Sequence, residues 1–246
     1  MFKVKPTFIC VFIRACPHHV RAMIKKPIFN ISLITLFPEI FSYLSSSIIG
    51  KAQKNGIIKL SFYNPRDYSK DKYKHIDRPS YGGGPGMVLQ AEPLLSAVDA
   101  ALKKSREKTK IVITSARGKQ FDAKYAKKIA AQQKNLLIIC GRYEGIDERV
   151  KKILRAEEIS IGPYVLTGGE LPAMVIVDSI ARFLPNVLGK EESLEEKRVA
   201  SAQVYTRPEI FRYKGKNYRV PKILLSGNHK EIEEWRKQTN SKPLNT

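Results

Sequence analysis

The sequence predicts an α/β fold built on a mostly parallel sheet. Three observations lead there. From residue 29 onward, strand-like and helix-like segments alternate; the strand-like segments are continuous apolar runs, as expected when both sheet faces are covered; and glycine-rich loops adjoin those runs, where α/β sheets bind ligands.

Taken in order, Ile28 to Leu36 reads as the first strand. Pro38-Glu39 then opens a helix through Ile49, with proline in the first turn, where its missing N–H has no helical partner to lose. Ile57 to Tyr63 is the second strand, followed by the loop Tyr81-Gly-Gly-Gly-Pro-Gly-Met87 and a helix from Glu92 to Lys104. Next come a strand over Lys110–Ser115, a helix over Asp122–Gln133 that Asp122 can cap, and strands over Leu136–Cys140 and Glu158–Ile161. Glu170 to Leu184 is apolar almost all round apart from Asp178, Ser179 and Arg182, so it predicts a buried or interface helix. Residues 185–208 carry no clear periodicity and read as a linker. Beyond them Asn228-His-Lys-Glu231 resembles a capping box opening a last helix, with Ile232 and Trp235 on one face. The domain organisation predicted is an N-terminal extension over 1–27, one α/β domain over 28–188, an interdomain linker over 189–208 and a short C-terminal helical region over 209–246.

Composition narrows the function. A chain of 246 residues, 43% of them hydrophobic, can bury a sizeable core. Lys and Arg number 44 against 23 Asp and Glu, and the resulting +21 is spread along the chain, which points to a polyanionic partner; a lysine-rich coding bias would produce the same balance. Residues 1–22 differ in texture, Met23 is a candidate start, and without Lys3, Lys5, Arg14 and Arg21 the charge still stands at +17. The apolar stretch Phe8 to Ile13 is too short to span a membrane. Cys10, Cys16 and Cys140 cannot form a full set of internal disulfides and show no zinc-ribbon spacing, so a reducing cytoplasm is expected and no metal site.

The three glycine-rich loops carry the chemistry. None matches G-x-G-x-x-G or a P-loop, which argues against dinucleotide and nucleoside-triphosphate sites of the usual kind. The loop Tyr81 to Met87 has enough free backbone to approach a phosphate or a purine edge; a tight turn is the plainer alternative. In Cys140-Gly-Arg-Tyr-Glu-Gly-Ile-Asp-Glu-Arg149, Arg142 is suited to a phosphate or carboxylate, and Glu144 to a ribose, an amine or a guanine edge. The alternative there is a salt-bridge cluster capping the next helix through Asp147 and Glu148. In Ile161-Gly-Pro-Tyr-Val-Leu-Thr-Gly-Gly-Glu170, backbone groups can pair with an adenine edge while Tyr164 and Leu166 line its faces, unless the segment is merely a structural hairpin.

Together these stretches, with Ile34-Thr-Leu-Phe-Pro-Glu39, Tyr205-Thr-Arg-Pro208 and Leu224-Leu-Ser-Gly-Asn-His229, resemble in order the bacterial tRNA (guanine-N1)-methyltransferases, a family of the SPOUT class. The resemblance covers roughly residues 28–238 and implies that 209–246 is a tRNA-binding region, shortened relative to the longer C-terminal helical domain of relatives. It implies a SPOUT-type sheet with a C-terminal trefoil knot, a cytoplasmic homodimer, S-adenosylmethionine bound in the knot, and tRNA recognised at its anticodon stem-loop, with guanine 37 methylated on N1. By motif match, Gly141 and the stretch Ile161, Gly162, Pro163, Tyr164, Val165 and Leu166 would bind S-adenosylmethionine, joined by Ser115, Ala116, Tyr143 and Gly168. Glu144 and Arg182 count as catalytic. Arg182 would stabilise charge developing on guanine O6, with an interface salt bridge as its other reading. Mg²⁺ enters as an assisting ion without an independent ligand cluster.

Two positions depart from the family. Counting forward from Arg182, the family's catalytic aspartate falls on Lys197; lysine is protonated at neutral pH, and the segment Gly189 to Tyr205 is shorter than in relatives, so a register slip would bring Glu196 or Glu195 to the site, with Glu196 the expected base. Arg78 stands where many relatives carry a second acid after Asp77. Lys197 also supports a different class of function, a tRNA-binding protein with a degenerate active site, and a SPOUT enzyme acting elsewhere on RNA is a third reading.

Overall fold

A computed structural model describes residues 29–105, 107–188 and 203–240. In chain order its main elements are β1 (Phe29–Ile34), α1 (Ser47–Lys54), β2 (Ile58–Tyr63), β3 (Asp77–Pro79), β4 (Met87–Leu89), α2 (Ala91–Leu102), β5 (Thr109–Gln120), α3 (Ala123–Gln132), β6 (Asn135–Cys140), α4 (Glu148–Leu154), β7 (Glu157–Ser160), α5 (Glu170–Ala181), β8 (Ile210–Tyr213), β9 (Lys216–Arg219) and α6 (His229–Asn240).

Five strands form one sheet in the order β2-β1-β6-β5-β7, and every pairing in it is parallel. The predicted parallel α/β sheet is therefore present. All six residues of β6 are buried, because this strand lies at the centre with helices on both faces. Its side chains alternate between two cores. Leu136, Ile138 and Cys140 join Ile176, Val177 and Ile180 of α5 on one face, while Leu137 and Ile139 join Leu94 and Val98 of α2 and Val150 of α4 on the other. Each such fully buried aliphatic side chain contributes roughly 1.5–3 kcal/mol through the hydrophobic effect. Asp122 caps α3 as expected, accepting a hydrogen bond from the Tyr125 N–H at 2.7 Å.

Several expectations need correction. The single helix expected over Pro38–Ile49 is instead a 3-10 helix over Pro38–Ser45 and a separate α1. Between them Ser46 is extended and Ser47 has φ 54°, and the Ser45 carbonyl oxygen stands 2.1 Å from where a Cβ on Gly50 would sit, so only glycine lets the chain fold back there. The strand expected to end at Ser115 runs on to Gln120 through an irregularity: Thr114 and Lys119 both register with Ile159, so residues 115–118 are thrown out of the ladder. Gly118 permits this, since a Cβ on it would lie 2.5 Å from the backbone of Glu158 and Ile159. The helix expected to reach Leu184 keeps α geometry only to Ala181, with turn bonds continuing through Leu184.

The C-terminal part holds a hairpin that the linear reading did not foresee. β8 and β9 pair antiparallel around Lys214 and Gly215, both at positive φ as a two-residue hairpin turn requires. α6 begins at the expected cap, with the Glu231 N–H donating to Asn228 Oδ1 at 3.4 Å, and Ile232 and Trp235 are its half-buried residues. Most of the expected linker, including Glu196 and Lys197, lies outside the described residues.

Candidate active site

The carboxyl ends of β5, β6 and β7 open onto a cleft of about 430 Å³. This is the edge at which open α/β sheets bind ligands. Its walls are the loop excursion in β5, the loop after β6 and the loop after β7. Of the residues singled out in the sequence, Ser115, Ala116, Gly141, Tyr143, Glu144, Ile161, Gly162, Tyr164, Val165, Leu166 and Gly168 all line it. Pro163 is exposed and does not. Arg182 does not either: it borders a neighbouring hollow with Phe121, Asp122, Ser179 and Phe183, which shares Ile161 with the cleft.

Backbone bonds tie the loops together. The Gly169 N–H donates to the Gly141 carbonyl at 2.8 Å, and the Gly141 N–H to Thr114 Oγ1 at 3.3 Å, linking all three walls at the cleft floor. A Cβ at Gly169 would fall 2.0 Å from Thr114 Oγ1 and 2.6 Å from the Gly141 nitrogen, so this close approach demands glycine. Tyr143, at φ 58°, is held in the left-handed region by the turn that the Gly145 N–H closes onto the Arg142 carbonyl.

The first glycine-rich loop is the turn of the β3–β4 hairpin, and the hairpin docks against the second loop. The Glu144 N–H donates to the Met87 carbonyl, the Leu89 N–H to the Gly145 carbonyl and the Asp147 N–H to the Leu89 carbonyl, each at 3.0 Å. The Glu144 side chain lies across Gly86, where a Cβ would meet its carboxylate at 2.7 Å. Glu144 itself is exposed at the cleft. Asp147 caps α4 by accepting from the Arg149 N–H, and the Arg149 guanidinium beside it holds its carboxyl below the usual range. The salt-bridge cap considered for this loop is thus real, and it coexists with the cleft. In the third loop Ser160 Oγ donates to the Gly162 carbonyl at 2.8 Å and accepts from the Gly162 N–H, while the Tyr164 ring folds back over Gly162.

Beneath the floor is a buried charge network that sequence reasoning missed. Glu170 is 2% exposed; Thr35 Oγ1 donates to its Oε1 at 3.0 Å and Arg142 Nε to its Oε2 at 2.9 Å. Arg142 also donates through Nη1 to the Thr167 carbonyl at 3.2 Å and lies 4.6 Å from the Phe37 ring centroid. Arg142, read from sequence as a ligand for phosphate or carboxylate, is thereby engaged by an internal carboxylate and acts as a strut. The available signal was Glu170 itself, an acid heading an otherwise apolar helix. Burial, with Glu170 nearby, pushes the Cys140 thiol well above its ordinary range. On the cleft wall Lys151 pairs with Glu158 at 2.5 Å, a bond that raises the lysine's pKa. Arg78, the departure near the first loop, lies 3.7 Å from Asp71.

Among the described residues, no group of three or more His, Cys, Asp or Glu side chains is gathered as a metal site would need. No described helix is long and apolar enough to cross a membrane.

Comparison with known proteins assigns the family. Residues 29–245 match the family model described as tRNA (Guanine-1)-methyltransferase TrmD. The chain belongs to the TrmD family. Among similar TrmD proteins, the tRNA (guanine-N(1)-)-methyltransferase of Mannheimia succiniciproducens is 45% identical over 211 residues, covering 84% of this chain and 81% of the relative. That of Carboxydothermus hydrogenoformans is 46% identical over 214 residues, covering 85% and 81%. The crystal structure of tRNA (m1G37) methyltransferase from Aquifex aeolicus matches with a TM-score of 0.71 at 36% identity, covering 87% of this chain and 89% of that one.

Proposed function

We propose that this TrmD-family chain methylates N1 of guanine 37 in tRNA, with S-adenosylmethionine as methyl donor. The observation that carries the reading is the convergence of two of the three glycine-rich loops, those after β6 and β7, with the β5 excursion on one cleft at the carboxyl end of the sheet. The residues present fit the donor. Gly141 and Gly168 leave backbone accessible beside it, and Tyr164, Val165 and Leu166, which are 52%, 86% and 38% exposed, offer apolar surface to a flat purine. Ser115, Ala116, Tyr143, Ile161 and Gly162 complete the wall, with Pro163 shaping the turn.

S-adenosylmethionine supplies an already activated methyl carbon. The chain must therefore align guanine and remove the N1 proton, because neutral N1 is a poor nucleophile. Glu196 accepts that proton in this reading, Arg182 donates to O6 as negative charge builds there, and Glu144 at the cleft mouth orients the guanine edge. The hollow of Arg182 adjoins the cleft through Ile161. A homodimer with a trefoil-knotted cofactor site, acting in the cytoplasm on the anticodon stem-loop, completes the proposal, with Mg²⁺ as an optional aid.

The test is to incubate the protein with S-adenosylmethionine and tRNA bearing or lacking guanine 37, then identify methylated nucleosides by mass spectrometry. N1-methylguanosine formed only with guanine 37 is expected; its absence overturns the reading. Glu196→Gln is expected to slow methyl transfer about 100-fold or more, the usual contribution of a general base. Full activity in that variant would remove Glu196 from its role.

A further inference from the structure

We propose that the β8–β9 hairpin is a stacking platform for an unpaired base of the RNA substrate. The register pairs Phe211 with Tyr218 and Tyr213 with Lys216, and residues directly opposite each other share a face. Because side chains alternate along each strand, Phe211, Tyr213 and Tyr218 stand together on one face, while Arg212 and Arg219 stand on the other.

These rings are not a core. Phe211 is 56% exposed, Tyr213 54% and Tyr218 55%, and all eight strand residues are exposed. The Phe211 and Tyr213 rings lie 6.3 Å apart at an interplanar angle of 12°, a near-parallel stacked pair whose faces stay open to solvent. Lys214 lies 5.4 Å from the Tyr213 ring centroid. Residues 210–219 hold Arg212, Lys214, Lys216 and Arg219 and no acid.

Exposed aromatic rings with Lys216 on their own face and Lys214 in the adjoining turn are the two parts of a single-strand nucleic-acid site: bases stack on the rings and phosphates meet the cations. A duplex would use the cations alone, since its bases are already stacked. A second copy of this chain is disfavoured as the occupant, because it would bring its own +21 against these cations. An unpaired base within a polyanion answers both features.

The proposal rests on the tRNA methyltransferase reading, and the experiment separates the two. Full-length protein is titrated against a fluorescein-labelled tRNA anticodon stem-loop and read by fluorescence anisotropy over a range of salt, alongside the mass-spectrometric methylation assay on the wild type. Phe211→Leu with Tyr213→Leu keeps apolar bulk but removes the flat rings, and is expected to weaken binding about 5- to 100-fold with little change in salt slope. Phe211→Tyr with wild-type Tyr213 keeps both rings and should bind within about twofold of wild type. Lys214→Gln with Lys216→Gln, the cations beside the rings, should flatten the salt slope by roughly 0.7 for each phosphate left without its cation. Wild-type affinity in the double leucine variant overturns the platform, as does a change of oligomeric state by light scattering, which would mean that another copy covers this face. If the wild type bound RNA through the rings but formed no N1-methylguanosine, the platform would stand and the methyltransferase reading would fall.

Discussion

The floor of the cleft and the face of the β8–β9 hairpin handle their polar and apolar groups in opposite ways. At the floor, charges are buried and paired: both oxygens of Glu170 are taken, by Thr35 and Arg142, and the backbone of three loops is drawn together through glycines. On the hairpin, aromatic rings stand in solvent, where leaving them exposed forgoes the stabilisation that burial would bring. The difference teaches what each region can be asked to do. A floor locked by long-range bonds can hold a small molecule in one pose, whereas an exposed ribbon contributes chemistry to a partner and almost nothing to the fold.

Breaking the floor should have the largest effect. Glu170→Ala leaves the Arg142 guanidinium and the Thr35 hydroxyl without their acceptor, and is expected to destabilise the protein by about 3 kcal/mol or more, the cost of splitting a buried pair. Urea unfolding measures this, and a loss below about 1 kcal/mol would show that the network is not a strut. Gly169→Ala is a subtler break, because its Cβ collides with Thr114 Oγ1 and with the backbone of Cys140 and Gly141. We expect about 1–3 kcal/mol of destabilisation from overpacking, together with weaker binding of S-adenosylmethionine by calorimetry as the loops separate. The smallest effect should come from the hairpin: Phe211→Leu should change unfolding free energy by less than about 0.5 kcal/mol, since the residue supports no core. A cost comparable to that of Gly169→Ala would erase the contrast between the two regions.

The parts legible in the sequence were those with a short-range signature. Alternation of apolar runs with amphipathic segments located the five parallel strands, Asp122 marked the start of α3, and the second and third glycine-rich loops marked the cleft before any geometry was known, while the first packs against the second without lining it. Where the reading went wrong, the deciding contact was not local. The helix over residues 38–49 breaks because Gly50 admits the Ser45 carbonyl, and β5 survives its excursion because Ile159 accepts two registers. The hairpin escaped notice although Lys214-Gly215 sits between alternating residues, since its alternation is between aromatic and basic side chains and buries neither.

By itself, then, the sequence determined the layered α/β plan, the helix caps and the set of loops that could meet a ligand, since side-chain periodicity and glycine's backbone freedom act within a few residues. The tertiary structure alone decided that Arg142 serves Glu170 and Thr35, that Arg182 faces a neighbouring hollow and that three rings share one face of a ribbon. Thr35 and Glu170 stand 135 residues apart along the chain. Their meeting depends on strand order and register, which no local pattern encodes.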